Sequence, residues 1–104
     1  MKLNLLERLK VLQILPAEGN FATLNIVKTL RESLAPTEKE FKDFGIVEKD
    51  GAISWNEKGR EEIEIEIGEK ATDIIVEALK KLDEENKLTA HHLSIYQKFV
   101  NGGE

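Results

Sequence analysis

Apolar residues recur along most of the chain with the spacing of helices. Between Leu3 and Leu15 they surround nearly the whole predicted helix, and only Leu5, Leu9 and Leu12 form a clean stripe. A helix that is apolar on several sides is either central to the core or shared with a partner. The sequence leaves both interpretations open. The second interpretation names four protein-contact candidates on this helix, which are Leu3, Leu6, Val11 and Ile14.

A second helix is predicted over about residues 21–34. Asn20 precedes it as a candidate N-cap, because an asparagine oxygen can accept a hydrogen bond from the unpaired amides of a first helical turn. The predicted inner face is Phe21, Leu24, Val27 and Leu34, with Ile26 and Leu30 beside it.

Two further helices are predicted in the C-terminal half. The apolar positions from Ala71 to Leu82 fall on one side of a helix and form the most regular amphipathic pattern in the chain. A last helix begins after Thr89, a candidate N-cap, where Leu88 and Leu93 have the spacing of a hydrophobic staple. Its predicted inner face is Leu93, Tyr96, Phe99 and Val100.

A short capped helix is predicted between residues 37 and 44. Thr37 and Glu40 have the spacing of a capping box, in which each residue bonds the other's backbone amide. Gly45 stands where a residue of left-handed conformation commonly ends a helix. The helix therefore has both a start signal and a stop signal.

A hairpin follows, and Asp50-Gly51 is its turn signal. A two-residue turn would pair Glu48 with Ile53, whereas a three-residue loop would pair Val47 with Ile53 on the face of Trp55. We prefer the three-residue loop, because register normally follows the hydrophobic face of a strand.

Glutamate and isoleucine alternate strictly over residues 61–67, which predicts a half-buried strand. The glutamates stand about 7 Å apart along one face. They are therefore expected to form a solvated edge and not to converge on a metal ion. The sequence predicts a single α+β domain of about five helices with a small antiparallel sheet, made of hairpin 46–55 plus strand 61–67.

The segment from Gly45 to Arg60 resembles the wing of a winged-helix domain. The letters GIVEKDG and ISWNEKGR follow that family's order of a glycine-hydrophobic step, a hairpin and a Thr-x-Lys-Gly-like turn, with Asn56 in place of the usual threonine. The resemblance implies a winged-helix-like N-terminal part that binds DNA. The phosphate contacts it implies are Lys39, Lys42, Lys49, Lys58 and Arg60.

The distribution of charge disfavours a nucleic-acid partner. The would-be recognition helix carries Glu38, Glu40 and Asp43 against only two lysines, and the chain has a net charge of −5. Residues 61–104 hold five basic and eleven acidic side chains, a local net charge of −6. A surface that binds phosphates needs the opposite balance.

Composition restricts the remaining possibilities. The 104 residues are enough for one domain with its own core. The absence of cysteine excludes disulfides, zinc–thiolate sites and thiol catalysis. No apolar run approaches the length of a membrane span and no signal peptide is recognisable, so we expect a cytoplasmic protein. In general texture the chain resembles small uncharacterised phage or prophage proteins.

No residue pattern in the sequence predicts catalysis. There is no phosphate-binding glycine loop and no nucleophilic serine motif. His91 and His92 are adjacent, so on a helix they point about 100° apart and cannot chelate one metal ion. We therefore predict no enzymatic activity, no cofactor and no metal site. Trp55 is either a core residue beneath the hairpin or an exposed contact for a partner.

These observations favour a small accessory protein that functions in protein interaction or assembly. Its predicted partner is another protein, with homodimer formation left open. A winged-helix-like DNA-binding transcriptional regulator is the alternative.

Overall fold

The computed structural model describes residues 1–101, which form five α-helices and two small antiparallel sheets. The predicted α+β class is confirmed. The helices are α1 (Leu5–Ile14), α2 (Phe21–Leu34), α3 (Glu38–Asp43), α4 (Glu69–Glu84) and α5 (Leu93–Tyr96). The strands are β1 (Lys2–Leu3), β2 (Val47–Lys49), β3 (Ala52–Ser54) and β4 (Ile63–Glu64). There are also 3₁₀ turns at Glu57–Arg60 and Ala90–His92 and a π-helical turn at Gln97–Asn101.

The helix α1 begins later than the sequence pattern predicts, because Asn4 caps it. The Asn4 side chain accepts from the Glu7 N–H, and the Glu7 carboxylate accepts from the Asn4 N–H, both at 2.9 Å. This reciprocal pair is a capping box, which satisfies two amides at the helix start. Leu3 lies outside the helix, in β1, where it pairs with Ile63.

The preferred register of the hairpin is wrong. β2 and β3 pair Glu48 with Ile53, and the loop consists of Asp50 and Gly51 alone. Both loop residues have positive φ, 54° and 80°. This is the geometry of a type I′ turn, whose twist matches that of the two strands. The geometry of the Asp50-Gly51 turn therefore determined the register, and the preference for pairing Val47 with Ile53 on one apolar face did not.

The observed register divides the hairpin's apolar side chains between its two faces. Ile53 and Trp55 share one face, since side chains two residues apart in a strand point the same way. Val47 lies opposite Ser54 and therefore belongs to the other face. It is 54% exposed.

Of the predicted strand 61–67, only Ile63–Glu64 is paired. Its partner is β1, so the sheets are two separate two-stranded pairs. Beyond the strand, Ile65 is buried in the core and its N–H donates to the Met1 carbonyl at 2.8 Å. The isoleucines therefore face inward as predicted, although the ladder is short.

The core is shared by α1, α2, α4 and the C-terminal helical segment. Its buried apolar members are Leu3, Val11, Leu15, Val27, Leu30, Leu34, Ile65, Ala71, Ile75, Leu79, Ile95 and Phe99. The amphipathic pattern of residues 71–82 is confirmed as α4, with Ala71, Ile75 and Leu79 at the centre of its buried face.

The predicted inner face of α2 is partly wrong. Val27 and Leu34 are buried as predicted, together with Leu30, whereas Phe21 is 85% exposed and Leu24 is also exposed. At 3.6 residues per turn, Phe21 lies almost opposite these buried residues.

The predicted inner face of the last helix is wrong only for Leu93, which is exposed. Phe99 is buried and Tyr96 and Val100 pack against the core as predicted, and Ile95 is buried in addition. Leu93 lies nearly half a turn away from Ile95 and therefore points away from the core.

A buried ion pair joins α1 to α3. Arg8 is 2% exposed, and its Nη1 and Nη2 donate to the two carboxylate oxygens of Glu40 at 2.7 and 3.0 Å. Arg8 also donates to the carbonyls of Leu34 and Ala35 at 2.9 and 3.2 Å. Glu40 accepts in addition from the Thr37 N–H, so the predicted Thr37–Glu40 capping box is confirmed.

A second polar cluster fixes the C-terminal segment against α1 and β4. The Lys98 ammonium donates to Glu7 at 2.8 Å, to the Lys2 carbonyl at 2.9 Å and to Glu62. Burial raises the pKa of Glu7, but the hydrogen bonds from Lys98 and from the Asn4 N–H outweigh burial and leave this pKa below its usual value. Burial lowers the pKa of Lys98, but its bonds to Glu62 and Glu7 leave it raised.

Candidate protein-binding groove

An apolar groove of about 480 Å³ lies between α1 and the hairpin. We call it the α1–hairpin groove. Its apolar lining residues are Leu6, Leu9, Leu12, Ile53 and Trp55. Residues of two elements that are some forty positions apart in sequence therefore form one continuous apolar surface.

The α1 side of the groove is formed by side chains of this helix that the core does not bury. Leu5 and Val11 point into the core and are buried. Leu6 and Leu9, three positions apart, are half-buried and line the groove. The apolar residues on several sides of α1 thus serve two surfaces, the core and the groove.

The hairpin wall is formed by Ile53 and Trp55. Because these residues are two positions apart in the chain, their side chains point to one face, and both line the groove. Ile53 is 45% exposed. The two-residue turn places Val47 on the other face. Trp55 is half-buried and packs against Gly59. A Cβ atom at Gly59 would lie 2.8 Å from Trp55 Nε1 and closer still to Cδ1, so only glycine permits this position of the indole.

Asn56 holds the end of the hairpin on α3. Its N–H donates to the Phe44 carbonyl at 2.7 Å and its Nδ2 donates to the Asp43 carbonyl at 3.0 Å. Its Oδ1 accepts from the Lys58 N–H at 2.9 Å and so caps the Glu57–Arg60 turn. The Asn56 amide group therefore ties the strand that ends at Trp55 both to α3 and to the Glu57–Arg60 turn.

The charged residues lining the groove are Lys10 and Arg31, and both are cations. This is the reverse of the chain's net charge of −5. Among residues 1–101 neither forms a salt bridge with a carboxylate, and Lys10 Nζ only approaches Gln13 Oε1 at 3.4 Å. The groove can therefore bury apolar side chains while offering two cations to carboxylates at its edge.

The structure brings together two of the five protein-contact candidates predicted from the sequence. Leu6 and Trp55 line the α1–hairpin groove, whereas Ile14 lines a different groove against α4. Leu3 and Val11 are fully buried in the core and have no surface to offer a partner. The prediction that Leu3 and Val11 contact a partner is therefore wrong, because Leu3 packs into the core from β1 and Val11 packs into it from α1.

Sequence reasoning missed Leu9, Ile53 and Arg31 as groove residues. Leu9 belongs to the stripe of Leu5, Leu9 and Leu12 and is not among the contact candidates predicted on this helix. Ile53 shares the face of Trp55 in both registers that the sequence offered, so its two-residue spacing from Trp55 was the available signal. No signal in the sequence identified Arg31, since its place beside the groove depends on the packing of α2 against α1.

The five cations of the DNA-binding alternative are all exposed. They lie on α3, on the hairpin and in the Glu57–Arg60 turn, and they are Lys39, Lys42, Lys49, Lys58 and Arg60. The same elements expose an equal number of acidic side chains, namely Glu38, Asp43, Glu48, Asp50 and Glu57. The surface therefore carries no local excess of positive charge.

The two histidines do not form a metal site with their neighbours. His92 Nδ1 accepts from the Thr89 N–H at 2.9 Å and so takes part in a cap at the start of the last helical segment. Burial, with the nearby charges of Lys10 and His91, lowers the pKa of His92. Within residues 1–101 no group of three or more histidine, aspartate or glutamate side chains is arranged to hold a metal ion.

Comparison with known proteins finds no matching family model, no similar curated protein and no similar solved structure. No helix in residues 1–101 is both long and apolar enough to cross a membrane.

Proposed function

We propose that this chain is a small, cytoplasmic, non-enzymatic accessory protein that binds another protein through the α1–hairpin groove. The occupant that fits is a short apolar segment flanked by acidic side chains. The observation that carries the proposal is the pairing of an apolar lining with Lys10 and Arg31 as its charged members. The general resemblance to small phage proteins is consistent with a role in assembly.

The partly exposed apolar surface of the groove favours binding. Leu6, Leu9 and Ile53 present partly exposed side chains that a partner would remove from water, which favours binding by about 25 cal/mol per Å² of apolar surface. Trp55 adds a rigid aromatic surface of the kind that dominates binding energy at interfaces. Since Gly59 and Asn56 hold its surroundings in place, binding should cost little ordering of this side chain.

The charges then select among apolar partners. Lys10 and Arg31 attract carboxylates, whereas a cationic segment would be repelled from the same edge. The lining also supports a binding role over catalysis, since it offers no histidine, carboxylate or hydroxyl that could act with these cations as a base or nucleophile.

A displayed library of random peptides tests the proposal. We expect enrichment of sequences with apolar residues flanked by aspartate or glutamate, and we expect Ile53→Asp to abolish their binding. Val47→Asp is the matched control, because Val47 is similarly exposed but lies on the opposite face of the same hairpin. Equal loss of binding in both variants, or no enrichment with the wild-type chain, would contradict the proposal.

The alternative function, a winged-helix-like DNA-binding regulator, has one structural feature in its favour. The hairpin follows α3 directly and is attached to its end through Asn56, as the resemblance to a wing implies. The balanced charges of these elements weigh against it. Salt-sensitive binding of a random-sequence duplex, lost in a Lys39→Glu, Lys42→Glu double variant, would make DNA binding the better proposal.

A further inference from the structure

A second groove, distinct from the α1–hairpin groove, lies between α1 and α4 and has a volume of about 690 Å³. We call it the α1–α4 groove. Its apolar floor is formed by Ile14, Ile74, Ala78 and Leu82, all of them half-buried. On α4 these residues stand beside the buried stripe, so the helix has more apolar surface than its own core covers.

The same molecule exposes an apolar side chain next to this groove. Phe21, at the start of α2, is 85% exposed. Glu18 and Thr23, which flank Phe21 in the chain, both line the α1–α4 groove, so the start of α2 lies at the groove's edge. The Phe21 side chain points away from the Thr23 side of α2 and out of the molecule. Leu24 is exposed on the same side of α2 as Phe21, since residues three apart are neighbours on a helix surface.

The charges of the two surfaces are complementary. The carboxylates lining the groove are Glu18, Glu77 and Glu85, against one cation, Lys81. On α2, Lys28 continues the stripe of Phe21 and Leu24 and is exposed. Phe21 and Lys28 are about 10 Å apart along α2, and Glu77 and Glu85 are about 12 Å apart along α4, so the two stripes are of similar length.

We propose that the chain forms a two-fold symmetric homodimer in which Phe21 and Leu24 of each copy enter the α1–α4 groove of the other. Lys28 then faces the acidic edge of the partner's α4. A two-fold interface requires one surface that complements itself, and here the protruding residue and the groove lie side by side on one molecule. The inference goes beyond the proposed function, because it concerns a different groove and leaves the α1–hairpin groove of each copy free for a partner.

Sedimentation equilibrium of the full chain up to millimolar concentration tests the dimer. We expect a dimer that Phe21→Asp weakens by at least about a hundredfold, because two buried phenylalanines are lost per dimer and each contributes a factor of about ten or more. The control is Phe41→Asp, since Phe41 is also substantially exposed, at 48%, but lies on α3 away from the groove. A wild-type monomer throughout, a dimer that survives Phe21→Asp, or equal weakening by Phe41→Asp would overturn the proposal.

Photo-crosslinking tests which surface receives residue 21. The photoreactive analogue benzoylphenylalanine is placed at position 21, and isotope-labelled and unlabelled chains are mixed so that links between copies are recognised by mass. We expect links from position 21 of one copy to the peptide containing residues 74–82 of the other. Links between copies that fall on any other surface would overturn the proposal, whatever the strength of the dimer.

Discussion

Removing the Glu40 carboxylate should be among the most damaging single changes to the stability of this chain. Glu40→Ala leaves Arg8, which is 2% exposed, without the carboxylate that accepts from both of its terminal nitrogens. The arginine would keep only its bonds to the carbonyls of Leu34 and Ala35. A buried charge is then left without its counter-charge, and this cost, not the loss of an attraction, dominates the effect.

The magnitude follows from the burial of the two partners. Breaking a fully buried pair by removing one member costs about 3–5 kcal/mol. The Glu40 side chain is 17% exposed, so water can partly replace it, and we take about 2–4 kcal/mol for the pair. Loss of the bond to the Thr37 N–H removes half of the capping box and adds about 0.5–1 kcal/mol. The expected decrease in the free energy of unfolding is therefore about 2.5–5 kcal/mol.

Urea denaturation followed by circular dichroism measures this change. With a slope of about 1–3 kcal/mol per molar urea for a small domain, the midpoint should fall by about 1 M or more. Glu38→Ala is the matched control, because Glu38 lies in the same helical turn, is exposed and forms no side-chain bond to Arg8. A loss below about 1 kcal/mol for Glu40→Ala, or an equal loss for Glu38→Ala, would refute the reasoning.

Three further predictions concern the polar clusters and the groove wall. Folding lowers the pKa values of Glu7 and Glu40, so their contribution to stability is complete above the unfolded-state pKa of about 4.5 and is lost as the pH falls through their lower folded-state values. Urea titrations at about pH 7 and pH 3 should show this loss of stability, and the loss should be smaller in Glu40→Gln. Lys98→Met should lower the free energy of unfolding by about 1–3 kcal/mol, because Glu7 is left buried without its cation, and an unchanged urea midpoint would count against the cluster. Gly59→Ala should destabilise by about 1–3 kcal/mol and change the fluorescence of the single tryptophan, because the new methyl group displaces the Trp55 indole; a fluorescence spectrum identical to that of the wild type would show that Gly59 does not position the ring.

Features of the fold with local signals were predictable from the sequence. The Thr37–Glu40 capping box, the Asn20 cap and the α4 stripe each depend on residues within a turn or two of one another, and all three are observed. The Asn4–Glu7 box has the same spacing as the Thr37–Glu40 box and was also readable, although the run of leucines around it concealed the start of α1.

The predictions are wrong where two local preferences of the chain conflict. In the hairpin, the backbone geometry that Asp50 and Gly51 adopt outweighed the gain from placing Val47 beside Ile53. In α2, the residues nearest the N-cap were assumed to face the core, whereas packing against α1 and α4 selected the later stripe and left Phe21 exposed.

The α1–hairpin groove could not be predicted from local sequence patterns. Leu6 and Trp55 were both identified as contact candidates, but their joining into one surface depends on how the hairpin packs beside α1. Arg31 enters the groove from a third element. Such tertiary arrangements leave no periodicity in a single sequence, so only the structure could define the site.

Binding of an apolar segment with acidic flanks in the α1–hairpin groove is tested most directly by an NMR titration. The isotope-labelled chain is titrated with a peptide enriched from the displayed library. Since the chain has a single tryptophan, its one indole N–H signal reports on the groove. We expect this signal and the amides of residues 6–13 and 53–55 to shift with a common saturation curve. Shifts confined to α3 and the Glu57–Arg60 turn, with the Trp55 signal unmoved, would contradict binding in this groove.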